Sequence, residues 1–139
     1  MNKLVVIAGT NDEYCFEGKR IVVGRVGEYC GNVHLVEGKY WITDNALKID
    51  KISDELSWEY LAIALWNLKL NNYKSISAQP SISQSRILSL SIPVPPFEIQ
   101  NTIVKHITEL KEQIKQLKQE AKELRENALA EFEKEIFEN

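Results

Sequence analysis

Cysteine is scarce: Cys15 and Cys30 are the two cysteines among 139 residues, and neither has Cys or His partners spaced as zinc ligands. Two thiols do not make a disulfide-stapled secreted scaffold, so both are expected to be reduced. Long apolar runs are also missing. The stretch near the start, Leu4 to Ala8, is too short for a signal peptide or a membrane span, so a cytoplasmic location and no membrane partner are expected. No Gly-rich loop of the adenosine-binding kind, no Asn-Pro-Pro-aromatic motif and no P-loop occurs. Acid-x-Lys triplets such as Glu109-Leu110-Lys111 fall on a charged face, where chance supplies them. The chain is therefore read as non-catalytic, without metal or cofactor. His34 and His106 are taken to satisfy local hydrogen bonds and not to ligate metal.

A one-signed charge cluster is lacking too. Residues 98–139 carry 7 Lys/Arg against 10 Asp/Glu, which leaves residues 1–97 with 10 of each and the chain at −3. Indiscriminate polyanion binding is excluded by that balance, since it depends on clustered Lys and Arg, and any nucleic-acid contact must come from a local patch.

What the sequence does have is a long periodic tail. Ile103, Ile107, Leu110, Ile114, Leu117, Ala121, Leu124 and Ala128 alternate spacings of four and three, the a/d stripe of a coiled coil. A helix from about Phe97 to Phe137 would run roughly 60 Å, more than a small domain needs for its own core. Pro96 suits its first turn, and Glu98 meets the positive end of the helix dipole. Beyond Leu124 the spacing changes to fours through Ala128, Phe132 and Ile136, as in a stutter. An exposed stripe of this kind requires a partner helix, so a homodimer through the tail is expected. The bland alternative is a helix folding back on its own domain.

The first half reads as short strands at Leu4–Ile7, Arg20–Val23, Asn32–Leu35, Tyr40–Thr43 and Ala46–Ile49, which suggest a curled sheet. Ser53 or Ser57 caps a helix of about Ser57 to Leu70, with Trp58, Leu61, Leu65 and Leu68 at helical spacing and Asn71-Asn72 closing it. Ser81 caps a short helical turn ending near Arg86, and the alternating Leu88, Leu90, Ile92 and Val94 mark a last strand. The fold class is α+β: a small curled β-rich domain over residues 1–94, then a long C-terminal coiled-coil helix over 95–139. Trp41, Trp58 and Trp66 are assigned to the core.

Several motifs occur in a telling order: Val22-Val23-Gly24-Arg25-Val26-Gly27, Cys30-Gly31-Asn32-Val33, Trp41-Ile42-Thr43-Asp44-Asn45-Ala46 and Ala78-Gln79-Pro80-Ser81-Ile82-Ser83. Leu90-Ser91-Ile92-Pro93-Val94-Pro95-Pro96-Phe97-Glu98-Ile99-Gln100 follows, and then Ile103-Val104. Together they resemble the target recognition domain and following helix of the specificity subunit of Type I restriction-modification systems. The resemblance implies a module that reads double-stranded DNA, is not an enzyme, pairs its helix with a second such helix and docks adenine methyltransferase subunits. It leaves a restriction subunit open as a further partner. The family's usual subunit has two domains and two helices, so this chain resembles a half-size form; a shortened adaptor that assembles or sequesters methyltransferase subunits without reading DNA is the alternative.

On that reading the expected DNA contacts are Arg25, Tyr29, Asn32, Lys74, Gln79, Ser81 and Arg86. Gly24 and Gly27 permit a tight turn in which Arg25 bridges phosphates or contacts guanine, although a surface arginine on a β-turn fits equally. Gln79 and Ser81 beside Pro80 suit base or phosphate contacts, and also suit a cap. Tyr29, more than Tyr40, is placed to pack on sugar or base. Thr43-Asp44-Asn45 reads as a structural turn.

Overall fold

The computed structural model of the chain describes residues 11–16, 18–27, 30–38, 40–42 and 46–137. The strand expected at Leu4–Ile7 lies outside them. Five strands follow in chain order: β1 (Asn11–Phe16), β2 (Lys19–Gly24), β3 (Val33–Glu37), β4 (Tyr40–Ile42) and β5 (Ala46–Ile49). β2 is central in an antiparallel sheet of order β3-β2-β5, and β1 pairs with β4 in a second, two-stranded sheet. Register runs from Lys19↔Glu37 to Val23↔Val33 on one side of β2, and from Ile21↔Ile49 to Gly24↔Ala46 on the other.

The β-branched run Ile21-Val22-Val23 favours this central position, and its alternation turns Ile21 and Val23 into the core with Leu47 and Ile49. Between the last two, buried Lys48 points the other way. Its ammonium lies 3.2 Å from the Asp50 carboxylate, which also accepts from Arg20 Nε at 3.0 Å. That pairing offsets the cost of burying the charge.

Helix α1 (Trp58–Asn67) is capped by Ser57, whose Oγ accepts from Tyr60 N at 3.1 Å. It packs across β2 and β3 with Tyr60, Leu61 and Leu65 buried. Burial pushes the Tyr60 hydroxyl's pKa up, and the hydroxyl donates to Pro93 O at 2.7 Å. The helix stops three residues before the expected Leu70. Lys69 turns into the left-handed region (φ 54), and a 3-10 turn over Leu70–Tyr73 takes in Asn71-Asn72. Burial of Leu70 outweighs one more helical turn.

Two further expectations are corrected. The short helix α2 (Gln84–Leu88) is capped by Ser83 and not by Ser81, because Ser81 is held in a bridge with Val26. The strand expected from Leu88 to Val94 is not one: Leu88 ends α2 and is exposed, and residues 89–96 follow without a ladder partner. Pro93, Pro95 and Pro96 have no N–H to give a ladder. Ile92 is nonetheless buried, which explains the misleading alternation.

Helix α3 (Phe97–Phe137) spans 41 residues, about 60 Å at 1.5 Å per residue. Its first turn is anchored by Gln100, a fully buried amide. Oε1 accepts from Ser57 N at 3.0 Å, and Nε2 donates to Glu55 O at 2.6 Å and Pro95 O at 2.8 Å. The chain divides into two compact units, Met1–Thr102 and Ile103–Asn139. The architecture is the expected α+β class.

Candidate nucleic-acid interface

Two loops carry the candidate interface residues. The first connects β2 to β3 and is closed at its base by Gly24 N donating to Asn32 O (2.9 Å) and Gly31 N donating to Gly24 O (2.8 Å). An inner turn is held by Cys30 N on Gly27 O at 3.1 Å. Gly27 and Gly31 take φ of +79° and +89°, which an L side chain adopts only under strain. The close backbone approach falls at Gly31, against the 3-10 turn, and not at Gly27.

The second loop runs from Lys74 to Ser81. Ser75 N donates to Ser81 O at 2.8 Å, Ser81 N donates to Ser75 Oγ at 3.2 Å, and Ser77 Oγ donates to Gln79 O at 2.7 Å. Ile76 at its tip is fully exposed. The loops are tied together: Gly27 N donates to Pro80 O at 2.8 Å and Ile82 N to Arg25 O at 2.9 Å.

Those ties set the backbone of Arg25 to Gly27 against that of Pro80 to Ile82, with Gln79 next along the chain. Asn32 stands at the base of the same first loop. Arg25 is half-buried, with no ion-pair partner among the described residues. Lys74 is exposed and near Cys30: burial pushes that thiol's pKa up, and the Lys74 ammonium offsets part of the shift. The Cys30 thiol donates to Arg25 O at 3.4 Å, which helps to fix the loop. The Arg86 guanidinium lies 5.1 Å from the Tyr73 ring centroid, a cation–π contact that holds it beside Lys74's neighbour. The expectations for Tyr29, for Thr43-Asp44-Asn45, and for the side chains of Cys15, Tyr40 and Trp41 fall outside the described residues.

Trp66 departs from its core assignment, being 71% exposed; Trp58 is half-buried. His34 and His106 are both exposed. Among the described residues no group of three His, Cys, Asp or Glu is placed to hold a metal ion, and no helix is long and apolar enough to cross a membrane.

On α3 the whole stripe is on one helix, as the spacing required. Ile103 and Ile107 are half-buried, exposure grows from 39% at Leu110 to 70% at Leu124, and Ala121 and Ala128 are exposed. Phe132 and Ile136 continue the apolar surface past the change of spacing.

The family model described as the Type I restriction modification DNA specificity domain matches residues 2–126. The chain is 29% identical over 115 residues to the Type I restriction enzyme EcoprrI specificity subunit of Escherichia coli, covering 75% of this chain and 28% of that protein. It is 26% identical over 100 residues to a protein of Mycoplasma pneumoniae assigned as a type I specificity subunit, covering 70% of this chain and 30% of that one. A solved chain from work on complex assembly and conformational transition of the type I R-M system superposes with a TM-score of 0.68 at 22% identity, over 92% of this chain and 31% of that chain. The chain thus spans under a third of the length of each.

Proposed function

We propose, on the premise that this chain belongs to the family of Type I restriction modification DNA specificity domains, that it is a sequence-reading half-subunit which pairs through α3 with a second copy and docks adenine methyltransferase subunits. The observation that carries the DNA-reading part is the cross-tie of the two loops, Arg25 to Gly27 against Pro80 to Ile82, which supports Arg25, Gln79 and Ser81 as one group of contacts. A cation without an ion-pair partner among the described residues, an amide and a hydroxyl are the groups that contact phosphate and base edges. Pairing is supported by the exposed stripe from Leu110 to Leu124. Each Leu or Ile buried there contributes roughly 1.5–3 kcal/mol, enough in sum to offset the association cost of two helices.

The chain itself is assigned no reaction. The chemistry belongs to the methyltransferase, and this chain's part is to select the site and hold the subunits on it. The adaptor reading keeps one observation in its favour, the exact balance of charge over residues 1–97. The two separate on one experiment, in which the chain is assembled with an adenine methyltransferase subunit and titrated with duplex DNA bearing its methylated motif. The DNA reader binds that duplex more tightly than scrambled DNA, and Arg25→Ala costs about 1–3 kcal/mol if the side chain contacts a base. An assembly that forms but does not discriminate the motif leaves the adaptor.

A further inference from the structure

The end of α1, the 3-10 turn and the start of β3 enclose a cleft of about 480 Å³, whose polar lining includes Asn32, His34, Lys69, Asn71 and Asn72 together with Trp66. Three features mark it. Trp66 stands 71% exposed at its rim. No hydrogen bond or ion pair among the described residues engages the side chains of Asn32, Trp66, Lys69, Asn71 or Asn72. No carboxylate is among the described lining residues, whereas Lys69 is.

The cleft is also built to keep its shape. A Cβ on Gly31 would come within 2.4 Å of Asn71 N and 2.8 Å of the Leu70 carbonyl carbon, so the first loop is seated directly on the backbone of the 3-10 turn. Lys69 holds φ 54 at the entrance to that turn, and strained backbone of this kind persists where surroundings over-determine it. Asn71 and Asn72 are thus carried on a fixed turn, and they line the cleft together with Asn32.

We propose that this cleft is a second DNA-contact surface, continuous with the Arg25 loop through Asn32, which receives the major-groove edge and adjoining backbone of duplex DNA. It rests on the DNA-reading function above and extends it to residues that were not among the expected contacts. An Asn amide offers a donor and an acceptor in the spacing that adenine N6 and N7 require. The flat face of Trp66 packs on deoxyribose or a thymine methyl, and Lys69 takes a phosphate. Lys69 and the amides of Asn32, Asn71 and Asn72, with no carboxylate among the described lining residues, give the cleft the charge and the hydrogen-bonding groups that a phosphate-bearing duplex requires.

The test uses the full chain assembled with a methyltransferase subunit and fluorescence anisotropy on the motif duplex. Trp66→Ala, and Asn71→Ala combined with Asn72→Ala, are each expected to weaken binding at least tenfold. Melting temperatures should stay close to the parent's, since the side chains have no hydrogen-bond partners among the described residues, and Trp66→Phe should recover most of the affinity. If the parent discriminates the motif and these variants bind as it does, the cleft is overturned while the DNA-reading function stands. If the parent discriminates no duplex, both fall together.

Discussion

Replacing Gln100 with Ala removes the amide that fastens the first turn of α3 to the N-terminal cap of α1. The side chain is fully buried and makes three hydrogen bonds: one accepted from Ser57 N and two donated, to Glu55 O and Pro95 O. Each such bond contributes about 0.5–1.5 kcal/mol net, and a buried group left without its partner costs more. Glu55 is exposed, so water can replace part of what its carbonyl loses. A loss of about 2–4 kcal/mol follows for Gln100→Ala. With a urea dependence of about 1–3 kcal/mol per molar, the unfolding midpoint should fall by roughly 1–3 M. Emission from Trp41, Trp58 and Trp66 reports the Met1–Thr102 unit selectively, because all three tryptophans lie in it. Gln100→Glu keeps an acceptor toward Ser57 N but sets a carboxylate against two carbonyls. Its charged form is disfavoured in the fold, so its pKa is raised there. Its deficit relative to the parent should narrow as pH falls toward the ordinary carboxylate range. A midpoint for Gln100→Ala within about 0.3 M of the parent's would refute the reasoning.

Gly31→Ala should destabilise the chain more than Gly27→Ala in the same urea assay. Both meet the left-handed penalty of about 1–2 kcal/mol, but only at Gly31 does the new Cβ strike backbone, nothing lying within 4 Å at Gly27. The native chain is expected to be a dimer by light scattering at tens of micromolar, and Leu110→Asp with Leu117→Asp should give monomers; a monomeric native chain would sink the pairing. The hydrogen bond from Lys19 lowers the Glu59 pKa, and that pair's stabilisation is present above the ordinary carboxylate range and lost as pH falls through the lowered value. Glu59→Gln should therefore flatten the acid limb of a stability-against-pH curve, modestly, because both side chains are more than a third exposed.

The elements set by local pattern were legible in the sequence. β5 matched its expected range, β2, β3 and β4 shifted by one or two residues at their ends, and α1 and α3 began where Ser57 and Pro96 placed them. Periodicity and capping are local properties, and each residue's neighbours along the chain decide them. Expectations failed where tertiary packing decides. Ile92 is buried in an extended segment that proline bars from a ladder, so its alternation imitated a strand. Ser81 and Ser83 are equivalent as caps, and the bridge from Val26 chose between them. β1 was missed because Asn11, Asp12 and Glu13 depress strand propensity. At the interface, Arg25, Gln79 and Ser81 were named from motifs, but their meeting depends on pairing between loops about fifty residues apart. Trp66, Asn71 and Asn72 were passed over because helical spacing and an Asn-Asn pair signal core and turn, and exposure is visible only in three dimensions. The available hint for Gln100 was its place one turn into a helix opened by two prolines.

The central claim is that this chain selects where an adenine methyltransferase acts. It is tested most directly by producing the chain with that methyltransferase subunit in cells lacking other modification and sequencing the modified adenines. Two copies related by a two-fold axis present identical reading faces, so the account predicts one discrete motif formed as an inverted repeat with a fixed spacer. Methylation without a motif, or at an asymmetric pair of half-sites, would contradict it.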